Sequence, residues 1–180
     1  AGRGRRLPRR ASRTPGQPAR ARRRKVSAPS PGPVSQVSQR TSRVVVDKLT
    51  QPAGVAIAPN GSLYVMAIDK VLRFDGIEAN PAVAPVDMTA AFKLPKEQHH
   101  NWKYIAFGPD GKLYVPFGAP CNICEPSAEY AQIRRYNADG SGMEVVARGV
   151  RNTQGFAWHP ETKELWFTDH GRDWMGDDGP

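Results

Sequence analysis

The chain has 180 residues, enough for one domain of modest size, and a formal net charge of +9. Because residues 1–43 contain 13 of the 26 basic residues and none of the 17 acidic ones, the rest of the chain carries a net charge of −4. The charge therefore gives no reason to expect nucleic-acid binding by the remainder, and no run approaches the ~20 apolar residues of a membrane span.

The first 43 residues are rich in Arg, Pro, Ser, Ala and Gly and nearly free of large apolar side chains. Such a segment buries too little surface to offset the entropy of ordering, so the composition predicts a disordered tail. Its charge fits an arm that binds polyanions, a transit-type presequence or an export signal, and a leader without a role is the alternative. Two Arg pairs, at positions 5–6 and 9–10, resemble twin-arginine signals, but no apolar segment follows them.

Three segments of the remaining chain repeat one pattern: an apolar run, a turn and a second run of apolar and aromatic residues. They are residues 54–65, 104–115 and 155–167, with turn prolines at positions 59, 109 and 160. The first two turns read Pro-Asn-Gly and Pro-Asp-Gly, which favour a tight reversal, so each segment predicts a β-hairpin. A further strand is predicted at 71–74 and again at 133–136.

Repeats of about 50 residues with several short strands each are typical of β-propeller blades. The predicted fold class is therefore all-β, with an incomplete β-propeller over residues 44–180 that follows the tail at 1–43. Three units cannot close a ring, so we expect them to be about three blades of a propeller of six.

In chain order, the first candidates for chemistry are His99 and His100, which precede the second hairpin. An imidazole in such a loop can act as a general base, and the alternative is an exposed pair without a role. Arg151 and Asn152 stand at the entry to the third hairpin. A guanidinium there can hold a carboxylate or polarise a carbonyl, whereas a loop ion pair beside a turn-forming Asn is the alternative.

Cys121 and Cys124 form a C-x-x-C unit between these two sites. A zinc site requires two further ligands, haem attachment requires His where Glu125 stands, and a thioredoxin-type pair requires a βαβ setting. A local disulfide that closes a loop is the favoured interpretation, and it would fit an oxidising compartment.

An oxygen-rich segment follows the third hairpin. Its carboxylates, together with main-chain carbonyls near Gly171, suit Ca²⁺, although the spacing differs from an EF-hand and a solvated acidic loop is the alternative. The carboxylates belong to Asp169, Asp173, Asp177 and Asp178. Trp174 stands in the same segment and could stack on a flat cofactor or a sugar, whereas the tryptophans within strands are expected to pack inside blades.

Residues 44–180 resemble the glucose/sorbosone dehydrogenase family, quinoprotein β-propellers that use pyrroloquinoline quinone (PQQ), and in particular its L-sorbosone dehydrogenase-like branch. The resemblance rests on residues 107–115, 118–124, 149–155 and 166–174, of which the first is common to propellers and the last two are specific. It implies oxidation of a sugar or sugar aldehyde with PQQ and Ca²⁺ as cofactors. It also implies an external electron acceptor and a location in the periplasm or outside the cell.

The same resemblance implies roles for individual residues. His100 would be the general base that takes the proton of the substrate hydroxyl. Arg151 and Asn152 would contact the quinone oxygens, and the carbonyls of Gly171 and Arg172 would bind Ca²⁺, which acts as a Lewis acid. In this family the basic residues that hold the cofactor's carboxylates come from later blades. We therefore expect the chain, as a fragment, to bind PQQ poorly.

Two other functions remain open, because a propeller fold does not determine function. One is a non-catalytic propeller that binds a protein or a glycan, and the other is a metal-dependent lactonase. Quinone binding that depends on Ca²⁺ would distinguish the dehydrogenase from both, and metal-dependent hydrolysis of a lactone would identify the lactonase.

Overall fold

Short antiparallel strands make up nearly all the regular structure in the computed structural model, which describes residues 42–95, 97–102 and 104–171. The second of the chain's two compact units, Arg43–Pro180, contains every element given below. The predicted tail at 1–43 lies almost wholly outside the described residues and stays a prediction.

The first sheet has four antiparallel strands in sequential order. They are β1 (Gly54–Ile57), β2 (Leu63–Met66), β3 (Val71–Phe74) and β4 (Val86–Asp87), and a four-residue helix, α1 (Thr89–Phe92), follows them. The turn between β1 and β2 places Gly61 at φ 85°, a left-handed conformation that glycine adopts without steric cost. The first predicted hairpin and the strand predicted at 71–74 are thus confirmed.

The second sheet repeats this order, and the third has two strands. The second consists of β5 (Ala106–Phe107), β6 (Leu113–Phe117), β7 (Gln132–Tyr136) and β8 (Glu144–Arg148). The third pairs β9 (Phe156–Trp158) with β10 (Leu165–Phe167). Both remaining hairpins and the strand predicted at 133–136 are confirmed.

Successive sheets pack face to face. The first and second sheets share an apolar core, and across it the Tyr64 hydroxyl donates a hydrogen bond of 2.8 Å to the carbonyl of Ala138. The second and third sheets meet through a smaller cluster built around Tyr114, Ile133 and Phe156. Four-stranded antiparallel sheets stacked in chain order are the arrangement of propeller blades, so the predicted fold class, a partial β-propeller, is confirmed.

Each end of this series leaves apolar side chains in solvent. Val55 and Ile57 on β1 are both 64% exposed, and Trp166 on β10 is 65% exposed. In a closed propeller every such face lies against a neighbouring blade. No helix among the described residues has the length and apolarity that crossing a membrane would require.

Candidate functional site

Gly118, just after β6, lies where two distant segments of the chain meet. A Cβ atom at this position would stand 2.0 Å from the carbonyl oxygen of His100 and 2.8 Å from that of Arg151. Only glycine permits backbone atoms to approach this closely. The end of β6 therefore brings together the predicted base and the predicted quinone-contacting arginine, which are 51 residues apart in sequence.

The ring of His100, half-buried, is oriented by a main-chain oxygen. Its Nδ1 lies 3.1 Å from the carbonyl oxygen of Ala119, and the N–H of Ala119 donates in turn to the carbonyl of Arg151 at 2.8 Å. Because a carbonyl only accepts, Nδ1 carries the proton of the neutral ring, and Nε2 keeps its lone pair. The structure thus presents His100 in the tautomer that a base acting through Nε2 requires.

The backbone of His100 is itself unusual. Its φ is 48°, in the left-handed region that residues other than glycine seldom occupy. Such a conformation costs of order 1–3 kcal/mol and persists only where the surroundings hold it, which happens most often at functional sites. The tight contact with Gly118 is part of that surrounding.

Asp169, two residues after the end of β10, holds the loop that leads into β9. Its two carboxylate oxygens accept the backbone N–H groups of Arg151, at 3.0 Å, and Asn152, at 2.7 Å. Both oxygens are therefore engaged in fixing the Arg-Asn pair. Among the described residues no three side chains of His, Cys, Asp or Glu are grouped as a metal site would need.

The guanidinium of Arg151 is held from two sides. Nη1 donates to the carbonyl of Gly171 at 2.8 Å and points towards that of His170 at 3.4 Å, while Nη2 donates to Oδ1 of Asn122 at 3.2 Å. Arg151 also lines a cavity of about 590 Å³ whose other wall is the loop at 121–126. The predicted site thus has a charged group at the edge of a space large enough for a small molecule.

The loop at 121–126 is closed by a disulfide between Cys121 and Cys124, as the favoured interpretation of the C-x-x-C unit predicts. Between these cysteines lies Asn122, whose Oδ1 is 2.9 Å from Nε2 of His99 as well as bonded to Arg151. Neither Asn122 nor Ala119 can be identified as a site residue from the sequence, because their partners lie 19 to 32 residues away in the chain.

The carboxylate of Glu97 belongs to the same histidine loop. It accepts the backbone N–H groups of His99 at 3.1 Å and Gln98 at 2.8 Å, and these bonds hold the pKa of Glu97 below its usual value. The carboxylate is therefore ionised at neutral pH, and it fixes the backbone that carries His99.

Two buried polar atoms beside the site have no hydrogen-bond partner among the described residues. They are Oδ1 of Asn101, next to His100 in sequence, and Oγ1 of Thr153, next to Asn152. Buried atoms of this kind are normally satisfied by water or by a ligand.

Part of the predicted site lies outside the described residues. Arg172, the second carbonyl predicted to bind Ca²⁺, and Trp174, predicted to stack on a cofactor, both belong to it. So do the remaining predicted carboxylates, those of Asp173, Asp177 and Asp178. All of these stay predictions.

Comparison with known sequences gives a family. The model of the "Glucose / Sorbosone dehydrogenase" family matches residues 86–178, slightly more than half of the chain. An uncharacterised protein of Borreliella burgdorferi is 32% identical in an alignment of 146 residues that covers 76% of this chain and 38% of that protein.

A similar solved structure supports the fold. The holo form of the PQQ domain of pyranose dehydrogenase from Coprinopsis cinerea matches with a TM-score of 0.55 at 16% identity, over 66% of this chain and 33% of that one. PQQ-bound aldose sugar dehydrogenase from Streptomyces coelicolor matches with a TM-score of 0.45 at 21% identity, over 74% and 60%. The chain thus spans between a third and three fifths of the length of these three proteins.

Proposed function

Because this chain belongs to the glucose/sorbosone dehydrogenase family, we propose that it takes part in oxidising a sugar or sugar aldehyde by hydride transfer to PQQ. The observation that supports this most is the hydrogen bond from Nδ1 of His100 to the carbonyl of Ala119. It places the proton of a neutral imidazole on Nδ1, so that Nε2 is the nitrogen that can take a proton.

In this proposal His100 takes the proton of the substrate hydroxyl through Nε2. Removing that proton raises the electron density on the substrate oxygen, so that the hydrogen on the neighbouring carbon leaves more readily as hydride. A histidine suits this step because its usual pKa lies near neutral pH, where the unprotonated form is abundant. The Ala119 carbonyl keeps the ring from turning, so the lone pair stays directed at one place.

Arg151 and Asn152 would suit the oxygens of a flat ortho-quinone. Arg151 offers charged N–H donors at the wall of the cavity of about 590 Å³. Oδ1 of Asn152 accepts from Nε2 of Gln154 at 2.8 Å, which orients the amide so that its NH₂ group is the side on offer to a ligand oxygen. When bound, PQQ supplies the hydride acceptor, and Arg151 and Asn152 provide donors to oxygens that gain negative charge.

We extend the proposal to a Ca²⁺ ion held by main-chain carbonyls of Gly171 and Arg172. Its support is the family resemblance together with the chemistry of the donors, since main-chain carbonyl oxygens are among the ligands that Ca²⁺ takes. In the structure the carbonyl of Gly171 accepts from Nη1 of Arg151 at 2.8 Å, and an ion bound there would displace this bond. Trp174 remains a candidate for stacking on the cofactor.

The proposal also includes the substrate, the electron acceptor and the cellular location. The substrate is a small sugar or aldehyde, the electrons leave to an external acceptor, and the site works in the periplasm or outside the cell. The Cys121–Cys124 disulfide is consistent with that location, since such bonds persist in oxidising compartments.

The test is reconstitution of the purified protein with Ca²⁺ and PQQ, followed by dye reduction with sorbosone and with glucose. We expect His100→Ala to lower the rate at least 100-fold, within the range usual for loss of a general base, while His159→Asn leaves it unchanged. His159 is a matched control because it lies in the turn between β9 and β10, where its Nδ1 accepts backbone N–H groups of that turn.

Three other outcomes would contradict the proposal. Equal rates in His100→Ala and the parent protein would show that His100 is not the general base. Hydrolysis of a lactone that requires metal but no quinone would identify the lactonase instead. A well-folded protein, judged by circular dichroism, that neither binds PQQ nor reduces the dye would favour a binding propeller.

A further inference from the structure

We propose that Asn122 is a positioning residue of this site, held in place by the Cys121–Cys124 disulfide. Its side-chain oxygen sets the tautomer of His99 and the orientation of the Arg151 guanidinium. The expected effect on catalysis rests on the proposed function. The effects on the His99 tautomer and on the orientation of Arg151 do not, and they can be measured in the protein without cofactor.

The identity of the bonding atoms follows from Arg151. A guanidinium only donates, so the atom of Asn122 that faces Nη2 at 3.2 Å is the amide oxygen. The same oxygen lies 2.9 Å from Nε2 of His99. Because an amide oxygen only accepts, Nε2 of His99 carries a proton. One atom therefore fixes both the tautomer of His99 and one branch of the guanidinium.

The consequences reach the predicted base. The ring of His99 packs edge-on against the ring of His100, with centroids 4.0 Å apart and planes at 65°. On the other side, the second branch of the Arg151 guanidinium is bonded to the carbonyl of Gly171. Asn122 thus links the histidine pair to Arg151 by hydrogen bonds, and Arg151 in turn is bonded to the loop after β10.

The disulfide explains how an exposed side chain can hold this position. Asn122 is exposed and lies on a loop outside any strand, where a polar side chain ordinarily samples several rotamers. Here the residues on either side of the Asn122–Ile123 pair are bonded to each other, and Ala119 ties the start of the loop to Arg151. The covalent closure reduces the number of conformations open to the loop, so less conformational entropy is lost when Asn122 forms its hydrogen bonds.

The test uses four variants and two measurements. Asn122→Leu keeps the branched shape but removes the acceptor, Asn122→Asp keeps an acceptor, and Cys121→Ser with Cys124→Ser opens the loop. Asn137→Leu, at an exposed Asn outside the site, is the matched control. The first measurement is the ¹⁵N NMR of the His99 ring in protein without cofactor, at about pH 8, where a neutral imidazole prevails.

We expect the parent protein, Asn137→Leu and Asn122→Asp to show His99 protonated at Nε2 alone. Asn122→Leu and the double serine variant should show a mixture of the two tautomers. In the reconstituted enzyme, Asn122→Leu should lower kcat about tenfold with KM nearly unchanged, and Asn122→Asp should restore most of the loss. Reduction of the disulfide in the parent protein should produce the same mixture of His99 tautomers as the double serine variant shows.

An unchanged His99 tautomer in Asn122→Leu overturns the inference whatever the activity. A tautomer that changes in Asn122→Leu but not in the double serine variant overturns the part assigned to the disulfide. If the parent protein shows no quinone-dependent activity, the proposed function fails, while the tautomer measurement still decides the role of Asn122. A change in kcat that Asn137→Leu reproduces would show a general loss of stability and would also overturn the inference.

Discussion

Gly118→Ala is the substitution that most sharply tests the geometry of the site. The added Cβ would stand 2.0 Å from the carbonyl oxygen of His100, whereas ordinary contact begins at 3.4 Å, so the two segments must separate by about 1.4 Å. The other near atoms are Cβ of His100 at 2.7 Å and the carbonyl oxygen of Arg151 at 2.8 Å, so no flexible side-chain end can give way. Misplacement of catalytic groups by about 1 Å can cost of order 100-fold in rate.

We therefore expect Gly118→Ala to lower kcat/KM by about 100-fold and the free energy of unfolding by about 1–3 kcal/mol, the usual cost of forcing an atom into a packed region. The assays are dye reduction by the reconstituted protein and urea unfolding followed by tryptophan fluorescence. Gly155→Ala is the matched control, because a Cβ there meets nothing within 4 Å and Gly155 follows Asn152 by three residues. A Gly118→Ala protein as stable and as active as Gly155→Ala would refute the close approach of His100 and Arg151.

Three further substitutions probe separate features. Asp169→Asn replaces one of two accepting oxygens by a donor, so we expect a loss of about 1–2 kcal/mol in urea unfolding and weaker PQQ binding by fluorescence titration. Tyr64→Phe removes the buried hydroxyl that bridges the first two sheets, and should cost about 1 kcal/mol without changing kcat. The Ser141 side chain and backbone lower the pKa of Asp139 in the fold, so its stabilising contribution is complete above the unfolded pKa of about 3.9 and is lost as the pH falls through the lower folded value. The urea midpoint should therefore fall on acidification, and less steeply in Asp139→Asn.

The hairpins could be read from the sequence because their determinants are local. Pro-Asn-Gly and Pro-Asp-Gly specify the turns, and the structure places Gly61 and Gly111 at φ 85° and 72°, as such turns require. The outer strands lack that local signal. Both residues of β4 are exposed, and β8 alternates between exposed and half-buried residues without a clear apolar pattern. These strands exist because β3 and β7 offer them a ladder of hydrogen bonds.

The site, like the strands, contains residues that the sequence identifies and residues that only the fold identifies. His100 and Arg151 carry reactive groups, so the sequence singled them out, and the structure lays the segments that contain them against Gly118. Asn122 and the Ala119 carbonyl could not be predicted, since an amide or a carbonyl gains a role only through partners that the fold brings near. As one of the carboxylates of an oxygen-rich segment, Asp169 is a candidate Ca²⁺ ligand from the sequence. Its two contacts with backbone N–H groups depend on the packing of β9 beside β10.

Chemical rescue of His100→Ala by imidazole tests the central claim most directly. With PQQ, Ca²⁺ and sugar present, added imidazole should occupy the space left by the ring and accept the substrate proton in its place. We predict that dye reduction by His100→Ala rises with imidazole concentration and with the fraction of imidazole that is unprotonated, while Arg151→Ala shows no such response. An active parent protein whose His100→Ala variant is either fully active or inactive and unaffected by imidazole would contradict the account.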